Sequence, residues 1–326
     1  MKERNILIDV AKGLGILLVI WRHTACPFLD EISSFRLHFF FMLSGYFFSR
    51  KDLFKDQLYY NIKRIGRPYL LFSVLIYLYY LLFCFIFKLD YDPLIIIKTI
   101  PYDGVVSEPL WFLVSLFTIS VFYYFVSKIK NSYIQLLLCL ILFIVSKLHL
   151  LPIPYRCFYI SSSMSFLIYY FIGNKLREFH ANIFTLFAEL KSYNKLLYTI
   201  LSLSAFCILY YAIDFAENKY LSIAFSIPIA LLGICCLVSF ASLVSNLKKV
   251  SSGLAYIGRN SLTMYAIQLP LMELTRPVSN LFFERETYLW GGMNVFVNLF
   301  ITIIATEILC RVFPGILGKN RKIKTQ

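Results

Sequence analysis

In the stretch IDVAKGLGILLVIWRH, Lys12 and His23 stand eleven residues apart at the two ends of the first apolar run. A histidine titrates near neutrality, so it can take a proton from a hydroxyl and return it to a leaving group. At 3.6 residues per turn, eleven residues close about three turns, which puts Lys12 and His23 on one helical face roughly 16 Å apart along the axis. Asp9, three residues before Lys12, is spaced to pair with it. A second run, SFRLHFFFMLSGYFFSRKD, brings in Arg36 and His38 at the end where His23 leaves. A short connection between the two runs makes an antiparallel hairpin that can gather Arg22, His23, Arg36 and His38 into one titratable, cationic cluster. Neighbouring cations favour the neutral, basic imidazole and can stabilise a developing oxyanion. Further on, NIKRIGRPYL sets Arg64 and Arg67 one turn apart, an arrangement suited to the phosphates of a cytosolic donor. The same residues also fit a plainer pattern, in which Asp9, Lys12, Arg22 and His23 mark the interfacial ends of a span and the Arg pair is an inner-face anchor.

The elements that must carry these groups are legible from composition. Of 326 residues, 59% are hydrophobic and 15% charged, where an average soluble domain has about 45–50% apolar and about 25% charged residues. This is the composition of an all-α, polytopic membrane bundle, read as a single domain over residues 1–326 with a short basic tail from about 312. A spanning helix needs about 20 mostly apolar residues. On that measure about ten segments qualify, near 6–23, 35–49, 69–87, 109–127, 133–150, 157–174, 196–213, 220–240, 256–275 and 290–311. An ionisable group inside such a segment costs at least about 2.5 kcal/mol, so it usually faces the bundle interior and has a partner or a function.

The net charge of +14 is scattered among short loops rather than gathered on a soluble face, which excludes a nucleic-acid binder. Placing both termini in the cytoplasm puts most Lys and Arg inside, including Lys51, Lys63, Arg64, Arg67, Lys175, Lys191 and the tail residues Lys319, Arg321, Lys322 and Lys324, as positive-inside topology requires. The outer connections, CPFLDEISS, KLDYDPLIIIKTIPYDGVVSEP and DFAENK, are more acidic. No cleavable leader pattern opens the chain, so a retained N-terminus is expected. The eight cysteines lack Cys-x-x-Cys or Cys/His metal spacing, so no metal site is expected and most should be buried free thiols, with a Cys26–Cys157 bridge open on topology.

Taken together these residues resemble the integral-membrane acyltransferase family 3, and within it the fucose 4-O-acetylase and enterobacterial common antigen O-acetyltransferase subgroup. The basic residue, ten-residue gap and histidine of that family match Lys12 and His23. FRLHFFFMLSGYFF resembles its phenylalanine-rich segment ending at Ser44, Gly45 and Tyr46. The Arg-x-x-Arg pair matches Arg64 and Arg67, PLWFLVSLF matches around Trp111 and Phe112, and IGRNSLTMYAIQLPL matches through Gly258, Asn260, Ser261 and Tyr265. The chain departs from the family pattern at Arg22, Arg36, His38 and Gln268.

The resemblance implies transfer of an acyl group, usually acetyl from acetyl-CoA as cosubstrate with no permanently bound cofactor, to a hydroxyl of an envelope or secreted polysaccharide or its lipid-linked precursor. The setting would be the lipid bilayer of the bacterial inner membrane. His23 would be the general base, with Lys12 its basic partner and Glu108 the first choice over Glu273 for an orienting carboxylate. Arg64 and Arg67 would contact the CoA side, and Asp9, Arg36, His38, Trp111 and Tyr265 the acceptor. The rival functions are a transporter or flippase of a glycan intermediate, whose buried charges would line a path, and a noncatalytic membrane subunit.

Overall fold

The computed structural model describes residues 5–87, 105, 108–152, 157–179 and 183–318. Most of the long connection before the fourth predicted span, the basic residues from 319 onward and the side chain of Cys157 lie outside these. Among the described residues the regular structure is helical and no strand occurs. The order is α1 (Ile6–Arg22), α2 (Leu29–Ser33), α3 (Arg36–Tyr46), α4 (Phe54–Asn61), a π-turn (Ile62–Gly66) and α5 (Arg67–Phe87). There follow α6 (Trp111–Val126), α7 (Ser132–Lys147), α8 (Ile160–Phe179), α9 (Ile183–Glu189) and α10 (Ser192–Phe215). The chain closes with α11 (Lys219–Val244), α12 (Lys248–Arg259), α13 (Ser261–Asn280) and α14 (Tyr288–Val312).

Each of the ten predicted apolar segments holds helix. By length and composition, five helical runs among the described residues can cross a membrane: Phe54–Ile86, Glu108–Val126, Ser192–Phe215, Lys219–Val244 and Tyr288–Val312. The protein is therefore a polytopic helical membrane bundle. The segment near 256–275 is not one helix. It breaks at Asn260, which ends α12 and starts α13 while its Nδ2 donates to the Tyr256 carbonyl at 3.0 Å, the local side-chain bond by which Asn competes with helix continuation. The reason is visible in α12, which is strongly amphipathic. Lys248, Lys249, Ser252 and Arg259 are exposed while Leu254, Ala255, Ile257 and Gly258 are buried.

The chain forms two compact units, one comprising residues 1–47 and 172–303 and the other 48–171 and 304–326. In the first, α1 is the central helix and packs on α3, α11, α12 and α13. Its N-terminal half is buried nearly all round, Asp9 included at 3% exposure, as expected of a helix apolar on every face. The crossing of α1 with α12 is made by two glycines. A Cβ on Gly258 would strike the Asp9 carbonyl oxygen and lie 2.9 Å from the Gly13 nitrogen, and one on Gly13 would strike the Leu254 carbonyl. Small residues permit such backbone contact between membrane helices. Gly15, by contrast, makes room for the Phe40 ring of α3 rather than for a backbone.

The second unit is built on aromatic and hydroxyl contacts. Tyr123 of α6 is fully buried, with its ring centroid 5.0 Å from that of Phe48 and 5.1 Å from that of Tyr170. Ser115 of α6 and Ser163 of α8 share a hydrogen bond of 2.9 Å. Between α4 and α5 the Arg67 N–H bonds the Ile62 carbonyl, five residues back. Pro68 explains the wide turn: a proline has no N–H to give to the carbonyl of Arg64, and its ring would clash with that carbonyl in a regular α-turn.

Candidate active site

His23 is the residue that caps α1, its N–H bonding the Ile20 and Trp21 carbonyls. The turn beyond it is fixed by side chains: Trp21 Nε1 donates to the Pro27 carbonyl at 2.9 Å and Thr24 Oγ1 to the Trp21 carbonyl at 2.7 Å. Arg22 points into the same connection, where Nε donates to Ser33 Oγ at 2.7 Å and Nη2 lies 3.9 Å from Asp30 Oδ1. Arg22 thus holds α2 against the end of α1. Tyr211 of α10 donates to Glu31 Oε1 at 2.6 Å and secures the other side of α2. This sets the entry of α3, and with it Arg36.

The cationic cluster expected from the hairpin is present in part and has an additional member. Arg36, Arg22 and Arg276 all act electrostatically on the His23 ring, and Tyr265 and Arg22 act on Arg36. Arg276 Nη2 also donates to the His23 carbonyl at 3.4 Å. Arg36 is largely buried, and its Nε has no hydrogen-bond partner among the described residues. A buried donor left in this state is costly, unless a group that arrives there takes the bond. His38, two residues on, is half-buried on α3.

His23 opens on a cleft of about 700 Å³ lined also by Glu273, Arg276, Asn280, Arg285, Glu286 and Trp290. That volume lies in the range of about 300–1,000 Å³ typical of small-molecule sites. Its lining carries both acidic and basic side chains, and within it Trp290 Nε1 donates to Asn280 Oδ1 at 2.8 Å. Behind Trp290 a polar file continues down α14. Asn294 Nδ2 donates to the Trp290 carbonyl at 3.0 Å, Asn298 Nδ2 to the Gln268 carbonyl at 2.8 Å, and Thr302 Oγ1 to Asn298 Oδ1 at 3.3 Å.

The other sequence-derived residues take these places. Lys12 is half-buried on α1, with Nζ 5.7 Å from the centroid of the Phe47 ring. Asp9 is buried beside α12, and Tyr265 is buried on α13. Glu273 lines the His23 cleft, whereas Glu108 belongs to the other unit, exposed in a short 3-10 turn before α6. Trp111, also in that unit, packs against Tyr159 and Phe166 with centroids 5.6 and 6.1 Å away. Arg64 and Arg67 are exposed at the π-turn, where Arg64 Nη1 donates to Tyr60 Oη at 2.8 Å and Lys51 Nζ stands 5.1 Å from the same ring. Cys26 is a buried free thiol. Arg276, Asn280, Arg285, Glu286 and Trp290 escaped the sequence reading. The signals were Arg276 one turn after Glu273 in LMELTRP and the charged ERE before Trp290.

A polar cleft on a histidine with guanidiniums near it, in a polytopic helical bundle, is a setting that suits group transfer at a membrane. The comparison with family models agrees: the acyltransferase domain of acyltransferase family 3 matches residues 5–312, a span running through both units. The chain belongs to that family and is a multi-pass membrane acyltransferase. No curated protein and no solved structure matches it.

Proposed function

We propose that the protein transfers acetyl from acetyl-CoA to a hydroxyl of a cell-envelope or secreted polysaccharide, or of its lipid-linked precursor. We place it in the bacterial inner membrane with both termini cytoplasmic. The observation that carries this reading is the cleft itself, where a capping histidine, the carboxylates of Glu273 and Glu286 and the guanidiniums of Arg276 and Arg285 line a space large enough for sugar units, with Arg36 and Arg22 acting on the same imidazole.

In the proposed reaction His23 takes the proton of the acceptor hydroxyl as its oxygen attacks the thioester carbonyl carbon. The carbonyl π electrons move onto oxygen, and the resulting oxyanion is stabilised by the buried Arg36 guanidinium, whose Nε is ready to donate. Collapse breaks the carbon–sulfur bond, and His23 returns the proton to the departing thiolate. Glu273, on the same cleft wall, takes the orienting role on the imidazole in preference to Glu108. Lys12 balances the buried Asp9 and supports the inner half of the helix that positions His23. Arg64 and Arg67 hold the phosphates of the donor by charge-assisted hydrogen bonds.

The test uses the purified full chain in lipid nanodiscs with acetyl-CoA, with and without envelope glycan. The expected result is CoA release and an acetyl mass on the glycan only when both are present, abolished in a folded His23→Ala variant. Glycan flux without acetylation would support the transporter reading instead, and an active His23→Ala would remove His23 from the chemistry.

A further inference from the structure

The second unit contains a buried amide that neither the family match nor the reaction above uses. Asn61, at the end of α4 and 1% exposed, accepts at Oδ1 from Gln57 Nε2 at 3.2 Å and from Ser120 Oγ at 3.1 Å. Its Nδ2 is buried and has no acceptor among the described residues. An amide's two ends are often interchangeable in a structure, but here the network fixes them. The Lys51 backbone N–H, which can only donate, bonds Gln57 Oε1 at 3.1 Å, so Gln57 must present its NH₂ to Asn61. On the other side Ser120 gives its proton to Asn61 and is itself hydrogen-bonded to Tyr170. The Gln57 amide and the Ser120 hydroxyl are both directed at Asn61 Oδ1, and the surplus donor is Asn61 Nδ2.

This donor belongs to the same short stretch as the exposed cations. Asn61 is the residue immediately before the π-turn, Tyr60 beside it bears Arg64, and Arg64 and Tyr60 also act electrostatically on Tyr170. A π-turn inserted in a helix frequently marks a functional position. A buried N–H costs free energy until an acceptor reaches it, and in low dielectric that acceptor is bound more strongly than in water. Anions are served by the guanidiniums; a neutral amide N–H suits a carbonyl.

We propose that Asn61 is a donor-binding residue that reads an amide carbonyl of the pantetheine arm of the acyl donor, next to the guanidiniums that hold its phosphates. The inference rests on the reading that the acyl donor is a CoA thioester bound at Arg64 and Arg67. It makes the π-turn a two-part site, with charge for the nucleotide end and a preoriented hydrogen bond for the arm, so that a bare nucleotide is distinguished from an acyl carrier.

The experiment compares binding of coenzyme A with that of adenosine 3′,5′-bisphosphate, which keeps phosphates but lacks the arm, to the full chain by calorimetry. Asn61→Asp preserves an acceptor for Gln57 and Ser120 but sets oxygen against the ligand carbonyl. It is expected to weaken coenzyme A about tenfold and leave the bisphosphate unchanged, and Asn61→Ser, which withdraws the N–H without adding charge, must show the same selectivity. Arg64→Ala is expected to weaken both ligands. If both Asn61 variants bind both ligands like the wild type, or weaken both equally, the amide is a structural group and the proposal fails. If the wild type binds neither ligand while glycan acetylation proceeds with another donor, the CoA reading fails and takes this inference with it.

Discussion

The guanidiniums of the two units live in opposite surroundings. Arg36 is largely buried beside His23 and Tyr265 with its Nε unpaired among the described residues, while Arg64 and Arg67 stand exposed on a helix flank. The difference separates two uses of one side chain. An exposed cation interacts through a high dielectric and is screened by salt, which suits capture of a polyanion that must later leave. A buried cation contributes most when charge appears beside it, as it does on an acyl oxygen during transfer.

Substitutions can break that distinction. The largest effect is expected from His23→Ala, which should lower CoA release by about 10²–10⁴-fold, the range for loss of a general base, with helicity unchanged by circular dichroism. Next is Arg36→Lys, expected to reduce kcat by about 10²-fold with little change in KM for the donor. A raised KM with kcat unchanged would instead place Arg36 in simple binding. Gly258→Ala tests the frame rather than the chemistry: pushing α12 off α1 should cost about 1–3 kcal/mol, read as a lower Tm in detergent, and the same change at the open position Gly253 should not. Arg64→Ala with Arg67→Ala should raise the donor KM about tenfold at low salt, with the gap from wild type narrowing as ionic strength rises. The smallest effect is expected from Arg22→Gln. Its bonds to Ser33 and Asp30 give it an anchoring role, so kcat should fall by only about threefold, consistent with loss of a part-exposed pair. A hundredfold loss would move Arg22 from anchor to catalysis.

Helix positions were legible because hydrophobic runs report burial in lipid directly, and α1 falls at Ile6–Arg22 where its apolar run predicts it. The Lys12–His23 spacing was readable for the same reason, since both lie on one continuous helix. The break at Asn260 was not, because α12 and α13 together form one apolar run and only side-chain capping separates them. The cleft was half legible. His23, Arg36 and Glu273 could be named from charge inside apolar sequence, but Arg276, Arg285 and Trp290 come from segments more than 250 residues away from His23, and their approach depends on packing about α1. Asn61 and Gln57 gave no sequence signal at all, because an amide in a helix end reads as surface until its neighbours are known.

The π-turn before α5 has a consequence for how the protein meets its membrane. On α5, Leu70, Val74, Leu78 and Leu82 are exposed at every fourth residue, while Phe72, Ser73 and Ile76 are buried. The extra residue in the turn sets the phase of that helix relative to α4. Winding residues 62–66 at the ordinary α pitch, with none removed, would rotate everything beyond them by about 100°. The leucine stripe would swing toward the protein interior and Ser73 toward lipid. The wide turn therefore acts as a clutch, letting Arg64 and Arg67 keep one orientation while the oily face of α5 keeps another.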